Sequence, residues 1–187
     1  MRIFVAIDID DNLRAAITAL QADLRSQLNP TSGRIKWVDP DLMHLTLKFI
    51  GEVEQNNIDR ISEAVASAAV QHKSFSFEIP TLGCFGRPIK VIWLGTETEN
   101  QQLLQLHQDI EDALESAGWP KEKKSFSPHL TLARLKDVPS DRSLKGIIKK
   151  YKLVDSAIVK ACSVRIYESV LTPTGPIYSA LSETKLK

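Results

Sequence analysis

An α+β fold, with helices packed on the outer faces of largely antiparallel sheets, is predicted by three observations on this sequence. Apolar residues alternate with period two over several short stretches, which is the signature of half-buried strands. Longer stretches between them carry apolar residues at helical spacing, and no Pro-, Gly- or Ser-rich linker divides the chain. At 187 residues, 43% hydrophobic and 25% charged, residues 1–187 have the size and composition of one globular domain with a real core.

The elements follow in order. Arg2 to Ile9 reads as a strand, and Asp10 or Asp11 is placed to cap a helix whose Leu13, Ala16, Ile17, Leu20 and Leu24 share a face. Asn29, Pro30 and Gly33 end that helix. Ile35 to Val38 is a short strand, Asp39 and Pro40 make a turn, and Met43 to Ile50 returns to alternation. A second helix spans about Gln55 to Val70. Strands follow at Phe75 to Ile79 and Ile89 to Leu94, separated by a loop over Gly83 to Pro88, and a third helix covers about Glu99 to Ala117. Gly118, Trp119 and Pro120 break it. Beyond a Lys-rich loop come a strand from His129 to Leu135, a short helix near Ser140 to Tyr151, and strands near Leu153 to Val159, Ser163 to Leu171 and Ile177 to Leu186.

Composition excludes several function classes. A formal net charge of +1 provides no global field for a long polyanion, so any nucleic-acid contact must be local. Cys84 and Cys162 lack CxxC spacing and read as free, buried thiols. The apolar run Ile3 to Ile7 is stopped by Asp8 and Asp10, too short for a signal peptide or a membrane span, so a soluble cytoplasmic protein is expected.

One internal echo carries the chemistry. His44-Leu45-Thr46-Leu47 recurs letter for letter as His129-Leu130-Thr131-Leu132, one copy in each half of the chain, which predicts two lobes. Side chains two apart on a strand share a face about 6.6–6.8 Å apart, so each His and Thr point one way while the leucines anchor the core and fix the register. If the strands face each other across a cleft, two imidazoles and two hydroxyls converge on a volume suited to a phosphate group. Two His without Asp, Glu or Cys at coordinating spacing make a poor zinc site, so neither a metal nor another cofactor is expected. His72 and His107 have no such context and receive no catalytic role.

At these residues the sequence resembles the two-histidine phosphoesterases, and within them the RNA 2',3'-cyclic phosphodiesterase or 2'-5' RNA ligase-like family. The likeness runs through Arg2–Ile7, His44–Gly51, Phe126–Arg134 and Ser169–Tyr178. The resemblance implies a bilobal fold with two antiparallel sheets lining a central cleft, and metal-independent opening of a terminal 2',3'-cyclic phosphate on RNA to a 2'-phosphate. By the same resemblance His44 is the proton donor to the departing 3' oxygen and His129 the acceptor that activates water, with Thr46 and Thr131 holding phosphoryl oxygens. The implied partners are single-stranded RNA ends or tRNA-derived fragments bearing that cyclic phosphate, with no membrane and no obligate protein partner. ATP-independent 2'-5' ligation, the chemical reverse, and a non-catalytic module that binds RNA ends are the alternative readings.

Phe49 and Arg134 each lie five residues past a motif histidine, and both side chains stack well on unpaired bases. The resemblance supports a base sandwich between them, the alternative being Phe49 in the core and Arg134 in a surface ion pair. An odd offset puts them on the wrong face of an ideal strand, so each strand must end, bulge or twist first. Lys48 is expected on the face of His44 and Thr46, either within reach of a phosphate or as a solvent-exposed strand lysine. Lys121, Lys123, Lys124 and the stretch Lys145 to Lys152 read as solvated surface, with guidance of an RNA backbone as the alternative, and the Leu171 to Pro176 segment reads as a turn.

Overall fold

The structure, a computed structural model, describes residues 1–28, 35–96, 99–136, 141–151, 157–173 and 175–187. Over these residues the order is β1 (Arg2–Asp8), α1 (Asp11–Gln27), β2 (Ile35–Trp37), a 3-10 turn (Pro40–Leu42), β3 (His44–Glu52), a second 3-10 turn (Gln55–Asn57) and α2 (Ile58–Ala69). There follow β4 (Phe75–Glu78), β5 (Thr81–Phe85), β6 (Val91–Gly95), α3 (Gln101–Ser116), β7 (His129–Leu135), α4 (Asp141–Lys150), β8 (Ile158–Ala161), β9 (Ser163–Leu171) and β10 (Pro176–Lys185). The mixed architecture expected from the sequence is present. No helix among the described residues is long and apolar enough to cross a membrane.

Two four-stranded sheets dominate, in the orders β10-β9-β1-β3 and β2-β7-β6-β5, and every pairing in them is antiparallel. Strands β4 and β8 form a small third sheet, which the sequence reading did not foresee. The chain passes repeatedly between the two large sheets, so neither is built from a contiguous segment. That interleaving is the physical reason no linker is visible in the sequence.

Helices cover one face of each large sheet. Helix α1 starts where the Asp10 carboxylate accepts a hydrogen bond from the Leu13 amide at 2.9 Å, and its Leu13, Ile17, Leu20 and Leu24 are buried. Leu13, Ile17 and Leu20 meet Leu94 of β6, so α1 lies on the second sheet. Helix α3 is capped by Asn100 in the same way and packs against α2 and β3, while α2 packs on β9 and β10. Each apolar stripe thus finds a sheet to bury it.

Three local expectations change. The loop placed over Gly83 to Pro88 is shorter, because Gly83 to Phe85 belong to β5: the indole of Trp93 lies across Gly83, where an added Cβ would sit 2.2 Å from a ring carbon. Both cysteines are free as expected, but Cys162 is exposed and Cys84 only half-buried. The predicted strand near Leu153 appears as β8 from Ile158, residues 152–156 lying outside the described residues, as do Asn29, Pro30 and Gly33.

Candidate active site

The two HLTL segments open β3 and β7, and their leucines are buried while each His and Thr is half-buried on the opposite face. Alternation then breaks at the same place in both strands. On β1, Val5 pairs with Lys48 and Ala6 with Thr46, leaving Leu47 unpaired; on β6, Ile92 pairs with Ala133 and Trp93 with Thr131, leaving Leu132 unpaired. A one-residue bulge puts two consecutive side chains on the same face. Leu47 and Lys48 both point inward, as do Leu132 and Ala133, and all four are buried. The alternation resumes one residue late, which returns Phe49 and Arg134 to the faces of His44 and His129.

Both predicted stacking residues are exposed there, Phe49 at 60%. The Phe49 ring centroid lies 6.0 Å from that of Phe4, which also packs on His44. The same bulge overturns the reading of Lys48 as a phosphate contact. Its side chain is 2% exposed and its Nζ donates to Glu111 Oε1 at 2.7 Å and to the Pro120 carbonyl at 2.9 Å.

The histidines are oriented alike. Nδ1 of His44 lies 3.0 Å from the Leu42 carbonyl, and Nδ1 of His129 lies 2.7 Å from the Ser127 carbonyl, each two residues back along the chain. A carbonyl only accepts, so each Nδ1 carries a hydrogen and Nε2 is the nitrogen left for a ligand. Thr46 and Thr131, two residues on from each histidine, put their hydroxyls on the same half-buried faces.

The surroundings of the two rings differ. His44 stacks on Phe4 with ring centroids 4.6 Å apart, meets Tyr178 edge-on at 5.2 Å, and has Tyr167 6.2 Å away. Across the sheet from it stands Asp8, whose carboxylate accepts from the Tyr167 hydroxyl at 2.7 Å and from the Arg165 guanidinium. Burial pushes the His44 pKa below the ordinary imidazole value, against the Leu42 hydrogen bond and the Asp8 charge, which both favour the imidazolium. His129 meets the edge of Phe85 at 5.0 Å and Trp93 at 6.3 Å.

Tyr178 joins the two halves of the site. Its ring touches His44, and its phenol feels the positive charge of Arg134, which lies on the His129 face of β7. Burial nevertheless holds the Tyr178 pKa above the usual phenol value. Strands β3 and β7 are themselves neighbours, and the β9–β10 turn reaches Lys36 of β2. The two motif strands thus lie in one neighbourhood, with Phe49 and Arg134 exposed on the faces that carry His44 and His129. Asp8, Tyr167 and Tyr178 were not singled out from the sequence. Alternation along Arg165, Tyr167 and Ser169 was the available signal, but the side facing the histidine is set by strand pairing. Among the described residues no group of three or more His, Cys, Asp or Glu side chains is placed to hold a metal ion.

An interleaved pair of antiparallel sheets presenting duplicated His-x-Thr strands defines the class, and the chain belongs to the 2'-5' RNA ligase superfamily, whose family model matches residues 9–169. A protein of Methanocaldococcus jannaschii named RNA 2',3'-cyclic phosphodiesterase is 33% identical over 98% of this chain and 99% of its own. A protein of the same name from Thermotoga maritima is 32% identical over 100% of this chain and 96% of its own. Among solved structures, the apo form of E. coli LigT superposes with a TM-score of 0.80 at 24% identity, covering 100% of this chain and 97% of that one, a likeness of fold. The protein TT0787 of Thermus thermophilus gives 0.78 at 25% identity, covering 99% and 97%.

Proposed function

We propose that this chain hydrolyses the terminal 2',3'-cyclic phosphate of single-stranded RNA to a 2'-phosphate, its two interleaved lobes acting as one domain. The observation that carries the reading is the pair of histidines opening the neighbouring strands β3 and β7, each with Nδ1 held by a carbonyl and Nε2 left for chemistry. Full-length relatives bearing the name of that activity support it.

In this mechanism a water oxygen attacks phosphorus while His129 Nε2 takes its proton. The bond from phosphorus to the ribose 3' oxygen breaks, and His44 Nε2 delivers a proton to that oxygen. The products are a 2'-phosphate and a free 3' hydroxyl. Thr46 and Thr131 donate to the phosphoryl oxygens, and Phe49 and Arg134 sandwich the terminal base. A positioned acid and a positioned base each contribute about 10²- to 10⁴-fold to such a step. His44 is held towards its neutral form by burial, so the donor role relies on the anionic phosphate, which favours the imidazolium once bound.

The deciding experiment incubates a short RNA bearing a 2',3'-cyclic end with the protein and EDTA, and resolves the products by phosphorus NMR. Formation of a 2'-phosphate at the rate seen without EDTA is expected. A cyclic end recovered intact across pH 5–9 would make the chain an RNA-end binding module instead, and joined RNA formed from supplied cleaved ends would favour ligation.

A further inference from the structure

Among the described residues only three polar or charged side chains are buried, Gln21, Lys48 and Glu111, and all three serve the two bulges. Gln21 reaches from α1 to donate its amide hydrogens to the carbonyls of Val38, at 2.8 Å, and Leu132, at 3.0 Å. Leu132 is the unpaired residue of the β7 bulge, and its carbonyl also accepts from the Val38 amide at 2.9 Å. The extra residue is thereby tied to Val38, just past β2, and to α1 at once.

The β3 bulge is held by the buried ion pair. Lys48, turned inward by the bulge, binds Glu111 of α3 and the Pro120 carbonyl. The other Glu111 oxygen accepts from the Glu122 amide at 2.9 Å, and the Glu122 carboxylate accepts from the Phe49 amide at 3.1 Å. This closed circuit runs from Lys48 through the 120–122 loop back to the backbone of Phe49. Strand β3 is an edge strand, so the Glu122 carboxylate occupies the place that β2 fills beside β7. A buried ion pair is weak evidence of stabilisation, since an apolar pair of similar volume often serves as well. Its place beside the bulge points to a positional role instead.

We infer that Gln21 and the Lys48–Glu111 pair are positioning residues for nucleobase recognition: they fix the bulges that aim Arg134 and Phe49 into the cleft. The inference rests on the reading of Phe49 and Arg134 as base contacts. The bulges lie beyond His and Thr in each strand, so loosening them displaces the stacking pair and leaves the imidazoles, held by Leu42 and Ser127, in place.

The test compares a cytidine 2',3'-cyclic phosphate with the base-free ribose 2',3'-cyclic phosphate, in Gln21→Met and in the volume-conserving double variant Lys48→Met/Glu111→Met. For the nucleotide, KM should rise about 3- to 10-fold with kcat held, because stacking is weakened rather than abolished. For the base-free compound neither constant should move. Gln21→Met should add nothing to KM in an Arg134→Ala background, since it acts through that residue. Thermal melts confirm folding, and if the double variant does not fold, Gln21→Met alone decides. A fall in kcat on both substrates, or full additivity with Arg134→Ala, overturns the inference. An unchanged KM in Gln21→Met overturns it alone when Phe49→Ala and Arg134→Ala raise KM, whereas an unchanged KM in those two variants refutes the base contacts themselves.

Discussion

Strands β3 and β7 spell the same four residues, bulge at the same leucine and hold the histidine by the same backbone contact, yet they place it in different surroundings. His44 is enclosed by Phe4, Tyr167 and Tyr178 beside Asp8, whereas His129 meets Phe85 and Trp93 at the rim of the other sheet. The repeated letters supply geometry, and the neighbouring strands supply the chemical difference. Acid–base catalysis needs that combination, because two groups of one residue type must act in opposite protonation states.

The most severe way to break the comparison is to remove either ring. His44→Ala and His129→Ala should each lower kcat/KM for cyclic-phosphate opening by about 10²- to 10⁴-fold while the thermal transition stays within a few degrees. Because acid and base act together, the double variant should be little worse than either single one. Product quantification by chromatography is sufficient, and a single variant keeping a tenth of wild-type activity would take its histidine out of the mechanism.

The next difference lies one residue beyond the bulge, where β3 carries Lys48 and β7 carries Ala133, both buried. Ala133→Lys puts an ammonium into a core that offers it no Glu111, and Lys48→Met leaves Glu111 without its cation. Each should cost about 3–5 kcal/mol in urea unfolding, while Lys48→Met/Glu111→Met should cost far less. If Ala133→Lys is tolerated, the two positions are not equivalent.

Lys48 also marks where legibility ended. Most strands, the cap of α1, the duplicated motif and the pairing of His with Thr were readable because local periodicity and short-range hydrogen bonds determine them. A bulge is a two-strand event. That Phe49 and Arg134 had to change face was deducible from their odd offset, but that the change happens at Leu47 and Leu132, carrying Lys48 inward, depends on the register with β1 and β6. The cage around His44 was hidden for the same reason: Tyr167 and Tyr178 come from strands far along the chain, and β5 was obscured by a glycine whose role is to admit Trp93.

A smaller effect is expected at the walls of the cleft. Phe49→Ala and Arg134→Ala should each weaken binding of a nucleoside cyclic phosphate by about 1–3 kcal/mol, read as KM, with modest change in kcat. Phe49 is 60% exposed, so its removal should leave stability nearly unchanged, and a large drop in melting temperature would reassign it to packing.

The mildest substitution separates the two roles. Asp8 faces His44 across the sheet and its negative charge favours the imidazolium, opposing the burial that lowers the His44 pKa. Asp8→Asn removes that charge while keeping an oxygen for Tyr167 and Arg165, so the His44 pKa falls further and less imidazolium is present at neutral pH. A proton donor needs the imidazolium, and kcat/KM at pH 7 should therefore fall a few-fold. The limb of the pH profile that belongs to His44 should move to lower pH, with the other limb fixed. An acceptor needs the neutral ring, and for that role the same variant would hold or raise the rate at pH 7. A rise would exchange the assignments of His44 and His129 while leaving the pair itself intact, because the two strands hold them by the same backbone contact and only their surroundings distinguish them.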